Sequence, residues 1–156
     1  MLVKEIMEPV TSNWLRPEQT LYDAICTMRK TKWEDSSVNG MVVLEHGIKL
    51  VGIVSIKDVI KAVIPSYLEE NLGGFTWEGM FEECAKKAGQ MLVSNIMSTE
   101  IITIGANDKL LRCADLMIDN NFQRLPVVDK SGRVLGMVHI RDIYLTITNI
   151  MCNAGE

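Results

Sequence analysis

Leu50 to Ile60 reads LVGIVSIKDVI, and Val134 to Tyr144 reads VLGMVHIRDIY. Gly52 falls on Gly136, Val54 on Val138, Ile56 on Ile140, Lys57 on Arg141 and Asp58 on Asp142, each pair 136 − 52 = 84 residues apart. In both copies an apolar strand holding a glycine gives way to a basic–acidic pair that opens a second apolar run. The chain therefore reads as an internal duplication, and this segment as the place where each copy does its chemistry.

Working outward, each copy repeats the same order of elements. Val3-Lys4-Glu5-Ile6-Met7 and Val93-Ser94-Asn95-Ile96-Met97 space apolar residues as a short helical turn does. A short strand is expected near Trp14-Leu15 in the first copy and over Ile101–Ile104 in the second. Thr20-Leu21-Tyr22-Asp23 fits a capping box, and Asp108 is the expected cap of the matching helix. Leu21, Ala24, Ile25 and Met28, then Leu110, Cys113, Ala114 and Met117, form equivalent i, i+3, i+4, i+7 stripes. Hairpins follow: Met41–Leu44 with Leu50–Val54 around His46-Gly47, and a strand entered through Phe122–Asp129 with Val134–Val138 around Lys130-Ser131-Gly132. Ser55 opens a helix with Val59, Ile60 and Val63 facing inward, ending before Pro65. His139 to Met151 is its counterpart. A small sheet with helices on one face cannot close a core alone. The expectation is an α/β (α+β) fold of two β-α-β-β-α repeats, packed sheet to sheet with pseudo-twofold symmetry, plus a connecting amphipathic helix.

The divisions expected are 1–64 for the first repeat, 65–92 for a connecting insertion, 93–152 for the second repeat and 153–156 for a tail. After Gly73-Gly74 the insertion sets Trp77, Met80, Phe81, Cys84, Ala85 and Ala88 at helical spacing against Glu78, Glu82, Glu83, Lys86 and Lys87. This helix either covers a face of its own domain or joins two subunits through its Trp-Met-Phe edge. Lys32 to Gly40 is a polar loop whose Trp33 either stacks on a ligand or packs under the loop.

Composition excludes several classes. Of 156 residues 16 are basic and 20 acidic, a net charge of −4 without a basic cluster, which argues against nucleic acid. No apolar run approaches the roughly 20 residues of a membrane span, and MLVKEIMEPV lacks the layout of a secretory signal. A cytoplasmic protein is expected. The four cysteines (Cys26, Cys84, Cys113, Cys152) form no C-x-x-C pair and read as reduced small hydrophobes, not metal ligands or disulfides.

The order of elements, with Ile-Met near the start of each copy, RLPVVD at 124–129 before a hairpin and Gly-x-x-Ser-x-x-Asp from Gly52 to Asp58, resembles the CBS (cystathionine-β-synthase) domain. A tandem pair of these is a Bateman module. The resemblance covers 1–64 and 93–152. It implies two clefts between the copies that hold an adenosine-containing ligand such as AMP, ADP, ATP or S-adenosylmethionine. It also implies a homodimer whose occupancy biases a separate effector protein.

In that pattern the hydroxyl and the Asp contact phosphate and ribose. Ser55 and Asp58 match, whereas at the second motif Asp142 matches and His139 replaces the hydroxyl. Lys57, Arg141 and Arg124 would add positive charge, with Thr103 and Val127 lining an adenine slot. Ser55-Ile56-Lys57-Asp58 is equally an ordinary capping box, and at this point both readings stand. A nucleotide-sensing module is the first functional expectation, and a ligand-free scaffold using the Trp77–Phe81 surface is the alternative. An enzyme ranks last, since two isolated histidines and no paired nucleophile and base leave no catalytic set.

Overall fold

The structure is a computed structural model that describes residues 1–10, 14–30, 40–64 and 76–154. Trp33 and its loop, and the Gly73-Gly74 break, lie outside the described residues. The elements run α1 (Leu21–Lys30), β1 (Gly40–Glu45), β2 (Lys49–Ser55), α2 (Ile56–Val63), α3 (Met80–Gly89), α4 (Val93–Ile96), α5 (Leu110–Asp119), β3 (Arg124–Val128), β4 (Val134–His139) and α6 (Ile140–Asn153), preceded by a 3-10 turn at Val3–Glu5. The expected mixture of helices with two small antiparallel hairpin sheets is what forms.

The chain divides into two compact units that cut across the repeat boundaries. One holds Asn13–Gly47 and Val51–Ile101; the other holds Met1–Ser12, Ile48–Leu50 and Ile102–Glu156. The opening segment of each repeat is thus built into the unit of the other repeat's hairpin.

In the unit of Asn13–Gly47 and Val51–Ile101, β1 is a buried strand, with Met41, Val42, Val43 and Leu44 all inside. His46 and Gly47 turn the hairpin with positive φ (54° and 71°), as the His-Gly pair foretold. The expected strand at Trp14-Leu15 shrinks to one parallel bridge from Leu15 to Val43. The core collects Leu15, Ala24, Met41, Val43, Val54 and Val93. Thr20 Oγ1 accepts the Asp23 amide at 3.2 Å, so that side of the first capping box forms. On α2, Val59 packs against the core but Ile60 is 54% exposed, contrary to the inward expectation. Ile56 and Ile60 stand together on its outer side at four-residue spacing, and Ile64 is exposed just past its end.

The connecting helix α3 is ten residues long, begins after Trp77, and packs on α1 and α2 with Met80 and Ala88 buried. It covers its own unit, yet leaves Phe81 75% exposed.

In the unit of Met1–Ser12, Ile48–Leu50 and Ile102–Glu156, β3 and β4 pair from Arg124↔His139 to Val128↔Val134, with an irregularity at Val127/Val128. Of the expected Ile101–Ile104 strand only Ile104 pairs, in parallel with Val127. Asp108 does not cap α5. Its carboxylate instead accepts the Gly105 amide at 2.8 Å, closing the turn before the helix, and Lys109 takes the N-cap position without a side-chain cap. The core comprises Val3, Ile104, Leu110, Cys113, Met117, Leu125, Val127, Val138 and Ile143, so the α5 stripe faces inward as read. Lys49 of the first hairpin bridges Arg133 within this unit.

Candidate functional site

The two organising segments each deliver a strand directly into a helix, and each junction is crossed by the opening segment of the other repeat. At Gly52 a side-chain Cβ would lie 2.7 Å from Met97 Cγ, and at Gly136 it would lie 2.6 Å from the Glu8 backbone oxygen. The glycines are therefore where the crossing segment comes close. Ile53 bridges Ser98 through two backbone bonds of 3.0 and 2.9 Å, and Met137 bridges Glu8 through two of 2.8 Å. Because 137 − 53 = 84 and 98 − 8 = 90, the two junctions are equivalent, and Ser98 and Glu8 occupy the same position.

At the first junction Ser55 sits at the N-cap of α2 in an extended conformation. Its Oγ accepts the Asp58 amide at 3.3 Å and donates to Asp58 Oδ2 at 2.9 Å, while the Ser55 amide donates to the same oxygen at 2.8 Å. Ser98 Oγ donates to Asp58 Oδ1 at 3.2 Å, tying the crossing segment to the helix start. The capping box is complete, and the carboxylate is anchored on both oxygens. It remains half-buried, with Lys57 exposed beside it. A cavity of about 470 Å³ in the same unit is lined by Val63, Ile64, Trp77, Cys84 and Met91 among others; its walls include neither Ser55 nor Asp58.

At the second junction the side chains change. His139 holds the N-cap position of α6 without a side-chain cap. It is 7% exposed, and its Nε2 stands 3.4 Å from Glu8 Oε2. Asp142 is half-buried, and its Oδ2 is sealed from solvent without a hydrogen-bond partner. Arg124 lies opposite His139 in the hairpin register and is half-buried, and Arg141 is exposed in the first turn of α6. Thr103 is half-buried next to Ile104, while Val127 is wholly inside the apolar core.

The residues singled out from sequence thus fall into two groups. Ser55, Lys57 and Asp58 belong to one unit, and Thr103, Arg124, Val127, His139, Arg141 and Asp142 to the other. Sequence reading missed Ser98 and Glu8. The signal was present: each is the residue directly after the Ile-Met pair of its repeat.

The family model for the CBS domain matches residues 3–65 and 93–149. Protein MJ1426 of Methanocaldococcus jannaschii is 32% identical over 157 residues, covering 92% of this chain and 89% of its own length. Among solved structures, CBSX2 in complex with AMP superposes with a TM-score of 0.69 at 22% identity, covering 96% of this chain and 98% of that one; a CBSX2 structure is also known from Arabidopsis thaliana. Protein MJ1225 of M. jannaschii reaches a TM-score of 0.74 at 23% identity over 94% of this chain, which spans 47% of that protein. At those identities the structural likeness is one of fold. With two matched segments that together take in both junctions, the chain belongs to the CBS domain family, as a tandem pair.

Proposed function

We propose that the chain is a regulatory binding module for an adenosine-containing nucleotide, and that it reports occupancy to a separate partner protein without catalysing a reaction. The observation that carries this reading is the repeated placement of a half-buried carboxylate, Asp58 and Asp142, at the third residue of a helix that opens straight from a strand. Amide groups at such a start favour phosphate, and an ionised carboxylate accepts from ribose hydroxyls. Ser55 and His139 supply the adjoining polar group, with Lys57, Arg141 and Arg124 contributing positive charge for phosphate. Thr103 serves the base, backed by Val127. The AMP carried by CBSX2, a chain of the same fold and nearly the same extent, supports an adenine ligand.

A thermal-shift panel of AMP, ADP, ATP, NAD and S-adenosylmethionine tests the proposal. A raised midpoint with at least one adenosine compound, diminished in Asp58→Ala or Asp142→Ala, is expected. No rise with any of them contradicts it.

The module acts as a homodimer in this reading. Supporting that, α6 exposes Tyr144, Leu145, Ile147, Ile150 and Met151, and α2 exposes its isoleucine row. Such apolar surface favours association. A second reading, an interaction scaffold, is favoured by the exposed Phe81 and Trp77 of the connecting segment. A partner interaction lost in Phe81→Ala but indifferent to every nucleotide would select it.

A further inference from the structure

The duplication offers an internal comparison. At one junction the three equivalent positions hold Ser55, Asp58 and Ser98, joined by hydrogen bonds that occupy both carboxylate oxygens. At the other they hold His139, Asp142 and Glu8, so both hydroxyl positions have become metal-ligating types while the aspartate stays. No hydroxyl remains there to donate to the carboxylate, and Asp142 Oδ2 is left buried without a hydrogen bond. A buried acceptor in that condition is costly unless something positive meets it.

We propose that Glu8, His139 and Asp142 form a binding site for a divalent transition-metal ion of the Zn²⁺ class. One ligand atom from each residue lies within 4.8 Å of the other two. The 3.4 Å between His139 Nε2 and Glu8 Oε2 is long for a charge-assisted hydrogen bond, which closes to about 2.8 Å. It fits two atoms sharing a tetrahedral ion, since ligands about 2.1 Å from such a centre stand roughly 3.4 Å apart. One imidazole with two carboxylates suits Zn²⁺ or Co²⁺; Mg²⁺ and Ca²⁺ take oxygen ligands instead.

The protein also supplies rigidity. His139 is fixed between the end of β4 and the start of α6 and is almost wholly buried. The Glu8 backbone is pinned to Met137, while its half-exposed side chain is free to close on an ion. Three protein ligands leave a fourth position open to water. The inference stands apart from the nucleotide proposal, although His139 and Asp142 belong to both, so metal binding is measured with no nucleotide present.

Chelator-treated full-length chain is titrated with Zn²⁺ by calorimetry and with Co²⁺ by visible absorption. The expected result is one saturable equivalent per chain without a thiolate charge-transfer band, with paramagnetic shifts on the ring protons of His139 and not of His46. Glu8→Gln, which keeps the size of an exposed side chain, is expected to weaken binding at least tenfold with the melting temperature of the metal-free protein unchanged. His139→Ala should do the same where it folds. Absence of saturable binding, a thiolate band, or weakening of less than tenfold in Glu8→Gln overturns the proposal.

Discussion

Gly136 has a carbonyl oxygen where any other residue would carry a side chain. Its neighbour there is the Glu8 backbone, whereas the space beside Gly52 is filled by the flexible Met97 side chain. Gly136→Ala is therefore expected to cost about 2 kcal/mol and Gly52→Ala less than half of that, because backbone yields less readily than a thioether arm. Urea melts of both variants check the order, and equal losses would refute it. A second residue-scale expectation concerns Cys113, whose thiol is pushed up to about 11 by burial, with Asp108 adding to the shift. It stays protonated at neutral pH and should resist a thiol reagent that labels exposed Cys152 promptly. Equal labelling rates in the folded protein would contradict that burial. At this scale the sequence was legible wherever repetition marked a residue, as with Asp58 and Asp142. The matching places of Glu8 and Ser98, each after an Ile-Met pair, were also there to be read, but what the two residues do depends on a long-range crossing that no local spacing encodes.

Among elements, the helices and hairpins were readable from periodicity, and the short strands were not. The stripe of α5 points inward as its spacing requires, with Cys113 and Met117 buried. Ile101–Ile104 looked like a strand from β-branched composition, but only Ile104 finds a partner beside Val127, so propensity without a second edge produced a single bridge. The inward expectation for Ile60 failed for a related reason: the apolar stripe of α2 is wider than its contact with the core, so Val59 at one edge packs inside while Ile60 at the other stays exposed, and spacing cannot tell which edge meets the core. Apolar surface left exposed carries a prediction. If α6 forms the dimer contact, Ile150→Glu should convert a dimer into a monomer in sedimentation at micromolar concentration while leaving the fold intact. Ile150 is more than half exposed in the single chain, so the charge costs little within it. A wild-type chain that sediments as a monomer would remove the dimer from the proposal.

For the molecule as a whole, the exchange of opening segments matters most. Val3 is fully buried in the core that also holds Leu125, Val127 and Val138, far along the sequence. Deleting residues 1–8 should therefore lower hydrogen-exchange protection at Met137, whose amide donates to Glu8, and spare Ile53, whose amide donates to Ser98. Loss at Ile53 with Met137 unaffected would contradict the exchange. Duplication was visible from the 84-residue offset, but the crossing was not, since either pairing satisfies the same hydrophobic pattern.

Binding of an adenosine nucleotide at the acid-bearing starts of α2 and α6 is what the proposed function requires first. Its most direct test is calorimetric titration of the purified chain with AMP and with ATP, wild type against Asp58→Ala and Asp142→Ala. The expected result is saturable binding of at least one of the two nucleotides, weakened tenfold or more in at least one variant although each remains folded. Absence of saturable heat with both nucleotides, or wild-type affinity in both variants, would contradict it.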